Sequence, residues 1–228
     1  MRLTGGAEGI DTGIDTVVVD YGGVLTNPLR ETYAALAATV GLTVETIGTA
    51  FAAATRRHGE SPMAALEVAA ISEREMVDRL LAELPEGASA ALGDRPFGEL
   101  WFAGRRPNHD FLSYLTNLHE RGYRLALLTN NVREWEHRWR AQLPVDALFS
   151  VVVNSAHERV RKPDPGLYRI LLDRLGARPE RCLFVDDAPE NCETAWALGI
   201  RSVEFRDHQQ AVAEIERALV GAESEVRS

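Results

Sequence analysis

Short β-branched runs alternate along this chain with amphipathic stretches of helical period, and that alternation is what most restricts its fold. Five runs read as strands: 16–20, 123–129, 148–154, 181–186 and 201–205. Helical patterns fill 107–121, 132–142, 165–175, 189–198 and 208–220, the fourth closed by Gly199. Such repetition implies an α/β fold: a doubly wound, Rossmann-like parallel sheet with crossover helices. The interval between the first two strands breaks the pattern. At roughly 80 residues it is far longer than one crossover helix requires, so an insertion is expected there. Its helical patterns, 29–40, 43–57, 62–70 and 72–84, are punctuated by Gly41, Gly59 and Pro85, and Ser72 with Glu75 has capping-box spacing. The expected division is a core of 16–28 and 107–222, an inserted α-helical cap domain of 29–106 lying over the end of the first strand, and flexible ends at 1–15 and 223–228.

A net charge of -9 argues against nucleic acid or an anionic membrane surface as the main partner, since either wants a basic stripe. No apolar run approaches the roughly 18 residues of a membrane span, and no charged-then-apolar leader opens the chain. Cys182 and Cys192 lack metal-ligand spacing and read as buried, reduced thiols. Together these features lead one to expect a cytoplasmic protein. Nothing in the sequence sets its oligomeric state. The histidines show no mutual spacing for a metal.

Chemistry concentrates at the strand ends. The first strand closes on Asp20 and turns through Gly22 and Gly23, and a carboxylate in that place sits where open α/β sheets hold their ligands. The second ends in Thr129-Asn130, a hydroxyl and an amide suited to a phosphate. Lys162, just before a helix, is the only lysine, against 24 arginines (25 basic residues minus one). A flexible point charge there suits a phosphoryl oxygen. The fourth strand ends in Asp186-Asp187, which with Asp20 makes a hard oxygen site suited to Mg²⁺. Singly, each residue has an ordinary reading as a helix cap or turn. Their joint occurrence at successive strand ends is far more specific.

These four stations resemble the haloacid dehalogenase-like hydrolase superfamily, from Val17 to about Phe205. The segment from Phe184 to Gly199 resembles its last motif, and the helical insertion resembles its cap of the first type. The resemblance implies that Asp20 attacks phosphorus and forms an aspartyl phosphate. It implies Mg²⁺ on Asp20, the Gly22 backbone carbonyl, Asp186 and Asp187; phosphoryl contacts from Thr129 and Lys162; substrate contact from Asn130; and a small phosphorylated molecule as partner. Gly22 departs from the pattern, because the phosphatases carry there an Asp that moves protons to and from the leaving group and water. The cap loop with His58 and Glu60 is the expected alternative donor. A second reading is a weak or inactive module that still binds phosphate and Mg²⁺. Phosphonate cleavage is excluded by a cap without lysine, and haloacid dehalogenation ranks below both, since Tyr21 stands one position early and the acidic pair is retained.

Overall fold

The computed structural model describes residues 13–85 and 95–225. Strand β1 (Thr16–Val19) leads into helices α1 (Leu29–Thr39), α2 (Val44–His58), α3 (Pro62–Glu67), α4 (Glu73–Leu81) and α5 (Phe97–Ala103). Then come α6 (His109–Glu120), β2 (Arg124–Thr129), α7 (Glu136–Gln142), α8 (Val145–Leu148) and β3 (Val151–Asn154). The chain closes with α9 (Ser155–Glu158), α10 (Pro165–Leu175), β4 (Cys182–Asp186), α11 (Pro189–Ala197), β5 (Arg201–Glu204) and α12 (His208–Glu225).

The strands pair in the order β3-β2-β1-β4-β5, every pair parallel. A parallel sheet is covered on both faces, so its central strands are continuously apolar, and Val17, Val18 and Val19 are wholly buried. The two-residue period divides them. Val17, Val19, Leu127 and Val185 join one core with Phe111, Leu115 and Ile215, while Val18, Leu128 and Phe184 face Leu167, Leu171 and Ala195 in the other. Strand order reverses between β1 and β4, which places the ligand crevice of such a sheet beyond their carboxyl ends.

The helices from α1 to α5 leave and return through a narrow antiparallel neck. Thr26 bridges Pro107, the Asn27 amide donates to the Arg106 carbonyl (2.9 Å), and the Asn108 amide donates to the Leu25 carbonyl (2.9 Å). Asn27 fastens the neck further, accepting from the Arg106 amide (2.8 Å) and donating to the Gly104 carbonyl (3.1 Å). The first core runs unbroken from the sheet face into these helices through Tyr21, Trp135, Trp101 and Phe97.

Local chemistry moves several predicted boundaries. The 132–142 helix begins only at Glu136, because Asn131 uses its side chain to accept from the Val132 amide and holds the chain in a turn. The 148–154 strand begins at Val151, residues 145–148 forming a helical turn behind Pro144. Helix α3 stops at Glu67, and Ala69 takes a left-handed φ of 51°. Helix α5, seven residues with an internal glycine, carries too little period to be legible and was not expected. Of the ends expected to be flexible, Ile14 is buried and Asp15 is anchored: its amide donates to the Arg181 carbonyl (3.1 Å) and its carboxylate pairs with Arg181 (2.7 Å). Residues 1–12 and 226–228 lie outside the described residues. Cys182 and Cys192 are buried free thiols. Among the described residues no single helix is long and apolar enough to cross a membrane.

Candidate active site

Asp20 follows the last residue of β1, its amide tied to the Val185 carbonyl of β4 (2.9 Å), so its side chain emerges at the point where strand order reverses. Asp186 ends β4 beside it, and Asp187 follows. One ligand oxygen from each of the three carboxylates lies within 4.8 Å of the others. Lys162 reaches between them, 1% exposed, its Nζ donating at 2.6 Å to Asp20 Oδ1 and at 2.6 Å to Asp186 Oδ2. The other Asp186 oxygen accepts from the Ala188 amide and from Asn191 Nδ2, each at 2.9 Å.

The electrostatics follow from this crowding. Burial, with the neighbouring Asp186 and Asp187, pushes the Asp20 carboxyl up to about 7 against the opposing pull of Lys162. Burial and Asp186 push Asp187 up to about 6. Burial alone would lower Lys162, but the two carboxylates it touches outweigh that and hold it at about 12, fully protonated. With all three carboxylates ionised, they and the ammonium sum to a charge of -2 in a largely buried space.

Gly23, rather than Gly22, takes the left-handed conformation, with φ 86°. A Cβ on Gly23 would stand 2.1 Å from Asp187 Oδ2, so the turn leaves room for that carboxylate only because glycine is there. A Cβ on Gly22 would meet the Arg105 guanidinium, with Nη2 at 3.2 Å.

Above these groups lies a cavity of about 250 Å³. Asp20, Lys162, Asp186 and Asp187 form its floor, and Leu29, Met63, Trp101, Phe102 and Trp135 form an apolar wall. Trp101 and Trp135 stack at 5.9 Å, and Phe102 meets Trp135 edge-on. Glu67 and Arg161 complete the rim, Arg161 Nε donating to Glu67 Oε2 at 2.9 Å. Burial holds the Glu67 carboxyl above its ordinary range, against the pull of Arg161.

Several expected site residues stand elsewhere. Thr129 is buried at the end of β2 and does not line the cavity; its Oγ1 has no hydrogen-bond partner. Asn130 lines the cavity, but its amide is committed to the backbone of Lys162, donating to the carbonyl (3.0 Å) and accepting from the amide (2.8 Å). It therefore fixes the lysine in place. His58 and Glu60 do not line the cavity: α2 ends in a left-handed Gly59 that turns the chain outward, both residues are exposed, and Glu60 lies 3.9 Å from Arg79. The helical segment instead contributes Glu67 and Arg105, which sequence reasoning missed. Neither has a positional signal, because the path of the neck and the turn after α3 bring them in.

Comparison with known proteins bears on the fold and the family. Phosphoglycolate phosphatase of Aliivibrio fischeri is 32% identical over 137 residues, 58% of this chain and 59% of that protein. Acyl-CoA dehydrogenase family member 10 of Mus musculus is 35% identical over 108 residues, 47% of this chain and 10% of that protein. The chain thus matches these curated relatives over a tenth to about three fifths of their length. Among solved structures, an enzyme of the same family from Bacteroides thetaiotaomicron, BT-2542, in complex with magnesium and inorganic phosphate, superposes with a TM-score of 0.64 at 22% identity, covering 86% of this chain and 97% of that one. The model of the haloacid dehalogenase-like hydrolases matches residues 14–199, most of the chain, and the chain therefore belongs to that family of hydrolases.

Proposed function

We propose that this hydrolase is a Mg²⁺-dependent phosphohydrolase or phosphotransferase that acts on a small phosphorylated molecule through an aspartyl phosphate on Asp20. The observation that carries the reading is the floor of the cavity, where a nucleophilic carboxylate, a buried lysine and two further carboxylates converge at the sheet's switch point. The phosphatases among its relatives and the magnesium and phosphate bound by BT-2542 support it.

The residues fit a divalent cation. Once ionised, the three carboxylates and Lys162 carry a net charge of -2, which one such ion neutralises, and all the donors are hard oxygens within 4.8 Å of one another. Asp20, Asp186 and Asp187 would hold it, with the Gly22 carbonyl, which accepts no hydrogen bond among the described residues. When bound, Mg²⁺ supplies charge neutralisation for the transferred phosphoryl oxygens.

The chain's own groups do the rest. Asp20 is the nucleophile, one oxygen oriented by Lys162, so the same ammonium neutralises the incoming phosphoryl group as the carboxylate attacks. Asn130 and Asp186 hold that ammonium from its backbone and its tip. The Thr129 hydroxyl, buried without a partner at the end of β2, is the second phosphoryl contact in this reading.

Binding of beryllofluoride in Mg²⁺, followed calorimetrically, tests this directly. Wild type is expected to bind; Asp20→Asn should lose the analogue, and Asp186→Asn should weaken Mg²⁺ binding at unchanged circular dichroism. Failure of the wild type to bind, or Mg²⁺ affinity indifferent to Asp186, refutes the assignment.

A further inference from the structure

Arg105 occupies the space that a side chain at position 22 would fill. It stands in the neck, 8% exposed, yet lines the cavity beside Asp20. Its Nη1 donates to Thr26 Oγ1 (2.8 Å) and the Asn27 carbonyl (3.3 Å), and its Cζ lies 5.6 Å from the centroid of the Trp101 ring. These contacts fix the guanidinium and leave much of it uncommitted. Nε is buried without a partner, and Nη2, the atom nearest Gly22, takes part in none of these hydrogen bonds. A buried guanidinium with two free N–H edges is costly unless an anion completes it. Asp20 and Asp187 act on it through space, but no hydrogen bond joins them to it.

Two facts about the leaving group follow. Residue 22 has no side chain to protonate a departing oxygen, and the carboxylates that do stand beside the nucleophile, Asp186 and Asp187, are those assigned to the cation. In place of such a side chain is a fixed positive charge with a planar fork, the geometry that pairs with a carboxylate. Two carboxyls line the cavity outside the floor: Glu190, and Glu67, which accepts from Arg161 while burial holds it above its ordinary range.

Resting on the phosphohydrolase reading above, we propose that Arg105 stabilises a leaving group that departs already ionised, and that the substrate class is the acyl phosphates of small, apolar carboxylic acids. An Asp20 oxygen forms a bond to phosphorus while the bond from phosphorus to the acyl oxygen breaks, and the electron pair leaves on a carboxylate that needs no proton. Arg105 receives that carboxylate on Nη2, the uncommitted atom nearest Gly22. The acyl chain lies against Trp101, Phe102 and Trp135, and a cavity of about 250 Å³ limits it to a compact group. Water then attacks phosphorus, the bond to Asp20 breaks, the Asp20 carboxylate is regenerated, and both water protons leave with the phosphate as dihydrogen phosphate. With no base at position 22, this second step is the slow one.

Acyl phosphates are intrinsically reactive, so the test rests on how Arg105 divides donors. Phosphate release in Mg²⁺ is measured with acetyl phosphate, benzoyl phosphate and glycerol phosphate for wild type, Arg105→Lys and Arg105→Met, with thermal melts beside each. Wild type should favour both acyl phosphates. Arg105→Met should lower kcat/KM on them, which reads the first step, by about 10², the usual loss of one preorganised donor, while kcat/KM for glycerol phosphate stays within a few fold. Arg105→Lys should keep part of the activity, having charge without the fork. An equal loss on all donors, at unchanged melting temperature, would make Arg105 a structural residue and overturn the proposal. So would brisk wild-type hydrolysis of glycerol phosphate abolished by Glu67→Gln, which would identify Glu67 as the missing acid and leave the phosphohydrolase reading intact. No release from any donor by folded wild type overturns both.

Discussion

Gly22 and Arg105 act as one unit, and a substitution at either is read through the other. A Cβ at position 22 comes within 3.2 Å of Arg105 Nη2, the movable end of a long side chain, and the backbone there is not left-handed, so Gly22→Asp should fold. The new carboxylate would pair with Arg105, which holds it ionised and makes it a poor acid. Its gain on an alkyl monoester is therefore expected to be about 10-fold, short of the ~10²–10⁴ that general acid–base catalysis supplies elsewhere. For acyl phosphate, kcat/KM, which reads the first step, should fall in the same variant, because Arg105 is neutralised. Parallel kinetics on the two donors check this, and a rise in kcat/KM on both would separate Arg105 from the leaving group. At this scale the floor was legible in the sequence, since Asp20, Lys162, Asp186 and Asp187 each sit where a strand end or helix start makes their position inferable. His58 and Glu60 were misplaced because which helix end faces the cavity depends on packing.

Among the elements, α5 decides the shape of the cavity wall. Gly98 is where this helix approaches β2's following turn most closely: a Cβ there would stand 2.5 Å from Trp135 Nε1. Alanine is the better helix former by about 1 kcal/mol. Overpacking against a ring already stacked on Phe97 and Trp101 opposes that gain at about 1–3 kcal/mol. Gly98→Ala is accordingly expected to lower stability and to shift Trp135 fluorescence; a more stable protein would show that the wall yields freely. Helix α4 is simpler. Its capping box, with Ser72 Oγ accepting from the Glu75 amide (3.3 Å) and Glu75 accepting from the Ser72 amide (2.8 Å), was readable from spacing alone. Ser72→Ala should cost about 1 kcal/mol by chemical denaturation. The two cases differ in kind: a cap is local and its residues lie three apart, whereas α5 is held by rings from α1 and from the turn before α7.

For the whole molecule, the site is a source of instability that its ligand removes. Asp20 and Asp187 have folded pKa values of about 7 and about 6, both above the ordinary 3.8. Between pH 4 and 7 the folded state thus binds more protons at these groups than the unfolded chain does, so their contribution to stability is lost as pH rises through that window. Asp15, Glu136 and Glu216 are shifted the other way and act only below it. Metal-free protein is expected to melt at a lower temperature at pH 8 than at pH 5.5, and Mg²⁺ should raise the melting temperature more at pH 8, where it binds ionised carboxylates. A Mg²⁺ effect independent of pH would mean that the three carboxylates do not share the ion. The parallel sheet, its crossovers and the strand-end residues were determined by the sequence alone, because periodicity, caps and strand termini are properties of neighbouring residues. The wall of Trp101, Phe102 and Trp135, the neck that carries Arg105 to Gly22, and the clasp of Asn130 on Lys162 were decided only in the tertiary structure, because each joins segments far apart in the chain whose approach is set by packing of the whole core.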